Sequence, residues 1–426
     1  MSIRLSSNPQ VASLSAAVCA SLLVAPLAAI SATPGPARSP LPATASRLFD
    51  PDRYTPATIR VSFTSKDAGD GSVASAGAAS FLDLTLIAPK DELVGKRVNI
   101  KRSEFAALLR ELYADIAKQA PLDIQNTSSP PRRLYDLLIR PLLPDLQAAG
   151  VTTLLISADT GLQGVPFAAL HDGQRYFGEA YAFSLTPSIA LTPLDVPSAA
   201  PSRELALGSS SFTGLAPLPL VPQEIKEVAA TTSSQTYLNQ AFTPEVLLSK
   251  VGDPSVDRVH VATHAEFLPG GPQKAKIYSG QGAVSMSAFA GMRQRREGQL
   301  LDLFILSACR TALGDQDSEL GFAGLALQAG SRSAVGTLWY VDDVATTAFF
   351  VLFYRYLKDG LPKAEAIQAA RTAFAKGLVR ADGDRVLGPD GRVVLQDLAP
   401  DQRARAARGL SHPYFWAGIQ LMGTPW

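Results

Sequence analysis

Cysteine is nearly absent from this chain: two occur in 426 residues, Cys19 and Cys309. That excludes a disulfide-stapled scaffold, and the length allows a sizeable apolar core instead. Charge of one sign is also missing in excess, with 39 Lys and Arg against 38 Asp and Glu. The balance leaves no electrostatic footprint of the kind nucleic acids or anionic membranes select, so neither is expected as a partner. Four histidines occur. There is no GxxxxGK[ST], no GxGxxG after a strand, no GxSxG elbow and no HExxH, which removes nucleotide binding, serine-hydrolase chemistry and helical zinc sites. No internal repeat of solenoid or propeller spacing is present.

What is present fits a soluble globular protein, with 46% hydrophobic and 18% charged residues. Residues 1–32 carry Arg4, the apolar stretch Val11 to Ile30 and no acidic side chain. This reads as a secretory signal peptide, with Ala29 and Ser31 at the cleavage positions, so export to a periplasm or the exterior is expected. An uncleaved signal anchor is the only membrane association this allows. Removal of Cys19 with the signal makes Cys309 the sole thiol, an unpaired one in an exported protein.

Residues 33–55 are rich in Pro, Ala and Ser and read as a linker. Residues 56–128 are expected to form a small N-terminal β/α region. Its strands are Thr58 to Phe63 and Leu82 to Ile87, paired as a hairpin across the Gly/Ser/Ala-rich stretch Asp67 to Ala78. Helical stripes follow at Phe105, Leu108, Leu109, Leu112 and Ile116, then at Leu134, Leu137, Leu138, Leu142 and Leu146.

Residues 129–426 change character. Short apolar runs at Val151 to Ser157, Glu204 to Leu207, Arg258 to Ala262, Leu303 to Ala308 and Ala334 to Leu338 alternate with helical or loop segments. Continuous runs such as LFIL suit strands buried on both faces, and helical crossovers between them imply a mainly parallel sheet in an α/β fold. Val344 to Leu357 and Lys363 to Lys376 read as covering helices. Arg380 to Arg408, with its Gly, Pro, Asp and Arg, reads as a solvated loop before a last strand around Phe415 to Met422.

In such sheets the working loops lie at the C-terminal strand ends. Arg258 to Ala262 runs into Thr263-His264-Ala265, and Leu303 to Ala308 runs into Cys309-Arg310-Thr311. His264 precedes Cys309 by 45 residues, close to the ~50 of caspase-type sites. A thiol is the strongest neutral-pH nucleophile among side chains, and an imidazole beside it favours the thiolate and protonates a departing amine. The backbone amides of Ala265 and Cys309 are the natural donors for an oxyanion hole. Core packing is the competing reading for Cys309, since cysteine is often buried as a small hydrophobe. His260 alternates with Val259 and Val261 and reads as a packed or hydrogen-bonded sheet residue. His171 and His412 sit in turns without a partner for chemistry, and His260 with His264 lacks the helix that a zinc pair needs.

From about residue 130 onward the chain resembles the CHAT domain family of caspase-like peptidases, relatives of separase and caspases. The carriers are Leu134 to Pro141 (LYDLLIRP), Gly164 to Leu170 (GVPFAAL), Pro187-Ser188, Val259 to Ala265 (VHVATHA), Leu306 to Gly314 (LSACRTALG), Gly321 to Trp339, Val341 to Asp343 and His412 to Gly423. The resemblance implies an α/β/α sandwich, a Cys309/His264 dyad, no cofactor or metal, and a protein or peptide substrate. The family usually has Gly after the histidine and Glu after the cysteine, where this chain has Ala265 and Arg310. By resemblance to separases, Asp343, with Asp342 beside it, is placed to bind a basic P1 side chain. Either aspartate equally suits the N-cap of the helix that follows. A catalytically silent interaction module and a Cys/His acyltransferase remain alternatives to an endopeptidase, and nothing fixes the oligomeric state.

Overall fold

The computed structural model describes residues 56–65, 80–89, 92–159, 161–189, 192–193, 202–230, 233–267, 272–308, 321–340 and 342–426. The expected signal peptide, the linker, the stretch Asp67 to Ala78, Cys309 and Arg310 lie outside the described residues. Strands β1 (Pro56–Ser65), β2 (Ser80–Ile87) and β3 (Leu93–Asn99) come first, then helices α1 (Arg102–Lys118), α2 (Pro130–Leu138) and α3 (Leu143–Ala148). Next are β4 (Thr153–Ala158), α4 (Phe177–Ala180), β5 (Ala182–Thr186), β6 (Arg203–Gly208), α5 (Val221–Ala229), β7 (Ser233–Leu238), α6 (Pro244–Val251) and β8 (Arg258–Ala262). Small strands β9 (Ala265–Phe267), β10 (Ala275–Ser279) and β11 (Gly282–Ser285) and the short α7 (Met292–Arg295) lead to β12 (Leu301–Ser307). The chain ends with α8 (Gly321–Gln328), β13 (Ser331–Thr337), α9 (Asp343–Lys358), α10 (Lys363–Ala375), β14 (Arg380–Asp382), β15 (Arg385–Leu387), β16 (Val393–Leu395), α11 (Pro400–Ala406) and β17 (Ile419–Gly423).

Eleven strands form one sheet in the order β3-β2-β1-β4-β5-β17-β13-β12-β8-β6-β7. The expected mainly parallel α/β sheet is present: β1-β4-β5-β17 and β13-β12-β8-β6-β7 are two parallel blocks. They meet at the antiparallel β13–β17 seam. Ser333 Oγ of β13 crosses the seam to the Thr424 carbonyl, and Ser184 Oγ of β5 ties the other side of β17 through the Gly423 carbonyl, each at 2.7 Å. The N-terminal strands are not a free hairpin. β1 pairs in parallel with β4, so β1 to β3 prolong the main sheet as an extension.

Helices cover both faces. His260 on β8 meets Glu224 of α5 and the rings of Phe350 and Tyr354 of α9 on one face, whereas Phe304 on β12 meets Phe289 on the other. The near-continuous burial along β4, β5, β8, β12 and β13 is what two-sided covering requires of a parallel sheet.

Two further stretches differ from the sequence pattern. The Leu134 to Leu146 stripe is buried as expected but is not one helix. α2 stops at Leu138, a 3-10 turn spans Arg140–Leu142, and α3 restarts with Pro144 in its first turn, because Pro141 and Pro144 cannot donate to a continuous ladder. Arg380 to Arg408 is not a plain loop: it forms the β14-β15-β16 sheet and α11, and Val386, Val394, Leu395, Leu398 and Ala406 are buried. Among the described residues no helix is long and apolar enough to cross a membrane.

Candidate active site

β6, β8 and β12 are parallel neighbours, and the chain leaves β6 toward β7 on one side and β8 toward β12 on the other. Beyond the C-terminal strand ends at such a reversal is the usual ligand position in open α/β sheets. His264 stands at that position, separated from the end of β8 by Thr263 alone. In register, Ala262 of β8 lies beside Ser307 of β12. Cys309 is two positions beyond Ser307, as His264 is two beyond Ala262; Cys309 itself lies outside the described residues.

The turn that carries His264 is held from two sides. Thr263 N–H donates to the Ser307 carbonyl at 3.3 Å, and Tyr278 N–H of β10 donates to the His264 carbonyl at 3.0 Å. Thr263 Oγ1 also donates to the Tyr278 carbonyl. Ala265 begins β9 and pairs with Ile277, and it is not among the described residues with positive φ. Alanine therefore fits this turn without the backbone strain that would make glycine necessary.

The imidazole of His264 touches the loop after β6. Its Nε2 is 2.8 Å from the Ala216 carbonyl oxygen, and a carbonyl only accepts, so Nε2 carries a proton and Nδ1 is the nitrogen that can act as a base. Phe212 packs obliquely on the ring, with centroids 4.7 Å apart and planes at 57°. The loop is rooted by Ser209 N–H on the Ala262 carbonyl at 3.1 Å and by Ser210, whose N–H and Oγ both donate to Asn239 Oδ1 at 2.8 and 3.0 Å. Asn239 has φ 52° and is pressed by Gly280, where a Cβ would stand 1.9 Å from the Asn239 carbonyl oxygen. Sequence reading missed this loop, since a carbonyl contact leaves no trace in residue type.

On the other flank, Ala308 is buried and its carbonyl accepts from Thr337 Oγ1 of β13 at 2.7 Å. Trp339 then packs edge-on to Tyr113 and donates to the Tyr414 carbonyl, and Tyr340 projects with 66% of its surface exposed. Asp342 caps α9, its Oδ1 accepting from Ala345 N–H at 3.1 Å, and burial pushes its carboxyl up from the usual range. Asp343 accepts from Arg405 at 2.9 Å and Gln402 at 3.2 Å, both on α11. Asp342 closes the helix, and the Arg405 guanidinium lies against both carboxylates, 3.5 Å from Asp342 and 2.9 Å from Asp343.

The remaining histidines are local fixtures. His260 is wholly buried and bonded to Glu224 at 2.8 Å, the hydrogen-bonded sheet residue that its alternation indicates. His171 accepts from Gly173 N–H at 2.9 Å and packs on Tyr176. His412 donates to the Ala120 carbonyl at 2.9 Å and accepts from Tyr414 N–H at 3.2 Å. Burial lowers the pKa of both His171 and His412.

Comparison with known proteins found no match among curated sequences. Among solved structures, a chain of the Saccharomyces cerevisiae separase–securin complex is similar at 10% identity and TM-score 0.49, over 90% of this chain and 30% of that one. The Arg-specific cysteine proteinase gingipain R is similar at 10% identity and TM-score 0.41, over 67% of this chain and 66% of that one. The complex of Porphyromonas gingivalis RgpB pro- and mature domains gives 9% identity and TM-score 0.38, over 73% and 71%. This chain therefore spans 30% of the length of the separase-complex chain and 66% of that of gingipain R. The family model of the CHAT domain matches residues 129–424. The chain belongs to the CHAT domain family.

Proposed function

We propose that the protein is a cysteine endopeptidase in which Cys309 passes its thiol proton to His264 and attacks the scissile carbonyl carbon, and His264 delivers that proton to the amine as the C–N bond breaks. The thioester formed is hydrolysed by water, which releases the acid and regenerates the thiol. The backbone amides of Ala265 and Cys309 are assigned to the oxyanion. The observation that carries the reading is the β8–β12 register, which brings Ala262 beside Ser307 two positions before each member of the pair. Adjacent strands lie about 4.8 Å apart, and His264 and Cys309 follow the two matched strand ends at the same offset in sequence. Nε2 of His264 donates to the Ala216 carbonyl at 2.8 Å, so Nδ1 is the nitrogen assigned to the thiol.

Selection of a basic P1 residue is the finer part of the proposal. Asp343 already binds a guanidinium, that of Arg405, which supports a carboxylate pocket of the right chemistry and requires an arginine substrate to displace Arg405. Export through residues 1–32 belongs to the same proposal.

The test is labelling of the full chain by a peptidyl electrophile, read by intact mass and peptide mapping. Modification at Cys309, lost in C309A and in H264A, is expected, with peptide hydrolysis following the same pattern. Absence of labelling favours the silent interaction module. Transfer to an added amine in preference to water favours the acyltransferase.

A further inference from the structure

The loop between β6 and α5 is exposed from Ser211 to Pro217 except at Phe212. The half-burial of that one ring coincides with its packing on His264, 4.7 Å between centroids. The same loop supplies the Ala216 carbonyl that Nε2 meets at 2.8 Å. Two contacts from one loop thus constrain one imidazole: the carbonyl fixes the direction of an N–H vector, and the aromatic ring blocks rotation about the bond joining the imidazole to Cβ. Neither suffices alone. A hydrogen bond at an exposed site competes with water, and an aromatic contact has no preference for one ring nitrogen. The loop itself is closed at its neck, with Leu218 N–H donating to the Ser210 carbonyl at 2.9 Å, and Ser210 is fastened to Asn239.

We infer that Phe212 is a positioning residue for His264, acting with the Ala216 carbonyl to hold the imidazole as the Nε2–H tautomer, with Nδ1 as the nitrogen left for catalysis. The inference rests on the assignment of His264 to catalysis, but its primary readout does not. Selectively labelled histidine in the intact chain, observed by long-range nitrogen–proton NMR above the imidazole titration, reports tautomer directly. In the wild type His264 is expected as a single Nε2–H tautomer. In F212A its two nitrogen shifts converge as both tautomers become populated, F212Y retains the wild-type pattern and F212L is intermediate. In turnover, F212A lowers kcat about tenfold with KM unchanged, since a misdirected base affects the transition state more than substrate binding, and F212Y restores it. Because Phe212 is on a surface loop, the variants are checked for an unchanged melting transition, and F212L serves if F212A does not fold. An unaltered tautomer in F212A or F212L, or a defect in F212Y equal to that in F212A, overturns the inference. A wild-type chain that turns nothing over but shows the tautomer shift defeats the peptidase proposal and leaves the positioning role standing.

Discussion

Glu224 on α5 accepts from His260 Nε2 at 2.8 Å with one carboxylate oxygen and from Thr347 Oγ1 of α9 at 3.0 Å with the other, all three side chains being buried. One carboxylate therefore joins two covering helices to the sheet at His260, four residues upstream of His264. Its removal leaves two buried polar groups unsatisfied. E224A is expected to cost about 2–4 kcal/mol, and T347V, which strips a single bond, about 1 kcal/mol. Urea unfolding with an unchanged slope checks both. Equal midpoints for E224A and wild type would show that the pair holds nothing together.

Acid sensitivity has a definite origin. Burial alone raises the Asp302 carboxyl, but Lys363 at 2.6 Å and Arg258 at 2.9 Å outweigh it and hold its pKa at about 2. A folded value below the unfolded one means that its stabilisation is present above about pH 4 and disappears as pH falls toward 2, roughly 2 kcal/mol over that span. D302N should be less stable at neutral pH and lose less between pH 4 and 2. Parallel pH profiles for the two proteins, measured by denaturant unfolding, would contradict this assignment.

The pocket proposal makes Arg405 a competitor of substrate, since it donates to Asp343. R405A should raise kcat/KM for peptides with P1 arginine, and D343N should lower it by a factor equivalent to about 1–3 kcal/mol. A peptide-library profile comparing the three proteins decides the matter. Preference for an acidic or apolar P1 residue, untouched by D343N, would reject Asp343 as the selecting group. Asp342 is a different case: as the N-cap of α9, D342A is expected to cost about 1 kcal/mol of stability whatever the substrate.

Export predicts a chemical N-terminus. Protein recovered from its native host should begin near residue 32 and titrate as one free thiol, that of Cys309. Recovery of intact Met1 or Ser2 on a cytoplasmic product would remove this proposal without touching the peptidase reading.

The sequence by itself determined the parallel sheet, because strands covered on both faces must be apolar at nearly every position. The run RVHVA coincides with β8, and LFILSA falls on β12 with ends shifted by one or two residues. It also determined that His264 follows the end of its strand, and that Asp342 or Asp343 suits a helix start. β7, SSQTYL, was not legible, because an edge strand half in solvent needs no apolar pattern. The Arg380 to Arg408 segment was misread for a similar reason: its buried residues are few and scattered among turn formers, and their burial comes from the face of α9 that they cover. Only the tertiary structure decided the surroundings of His264. Phe212 and Ala216 lie 52 and 48 residues before it, and they meet it because β6 pairs with β8 across the intervening β7 and α6. A ring contact and a backbone carbonyl depend on where the chain is carried, a property of strand order that local composition does not encode.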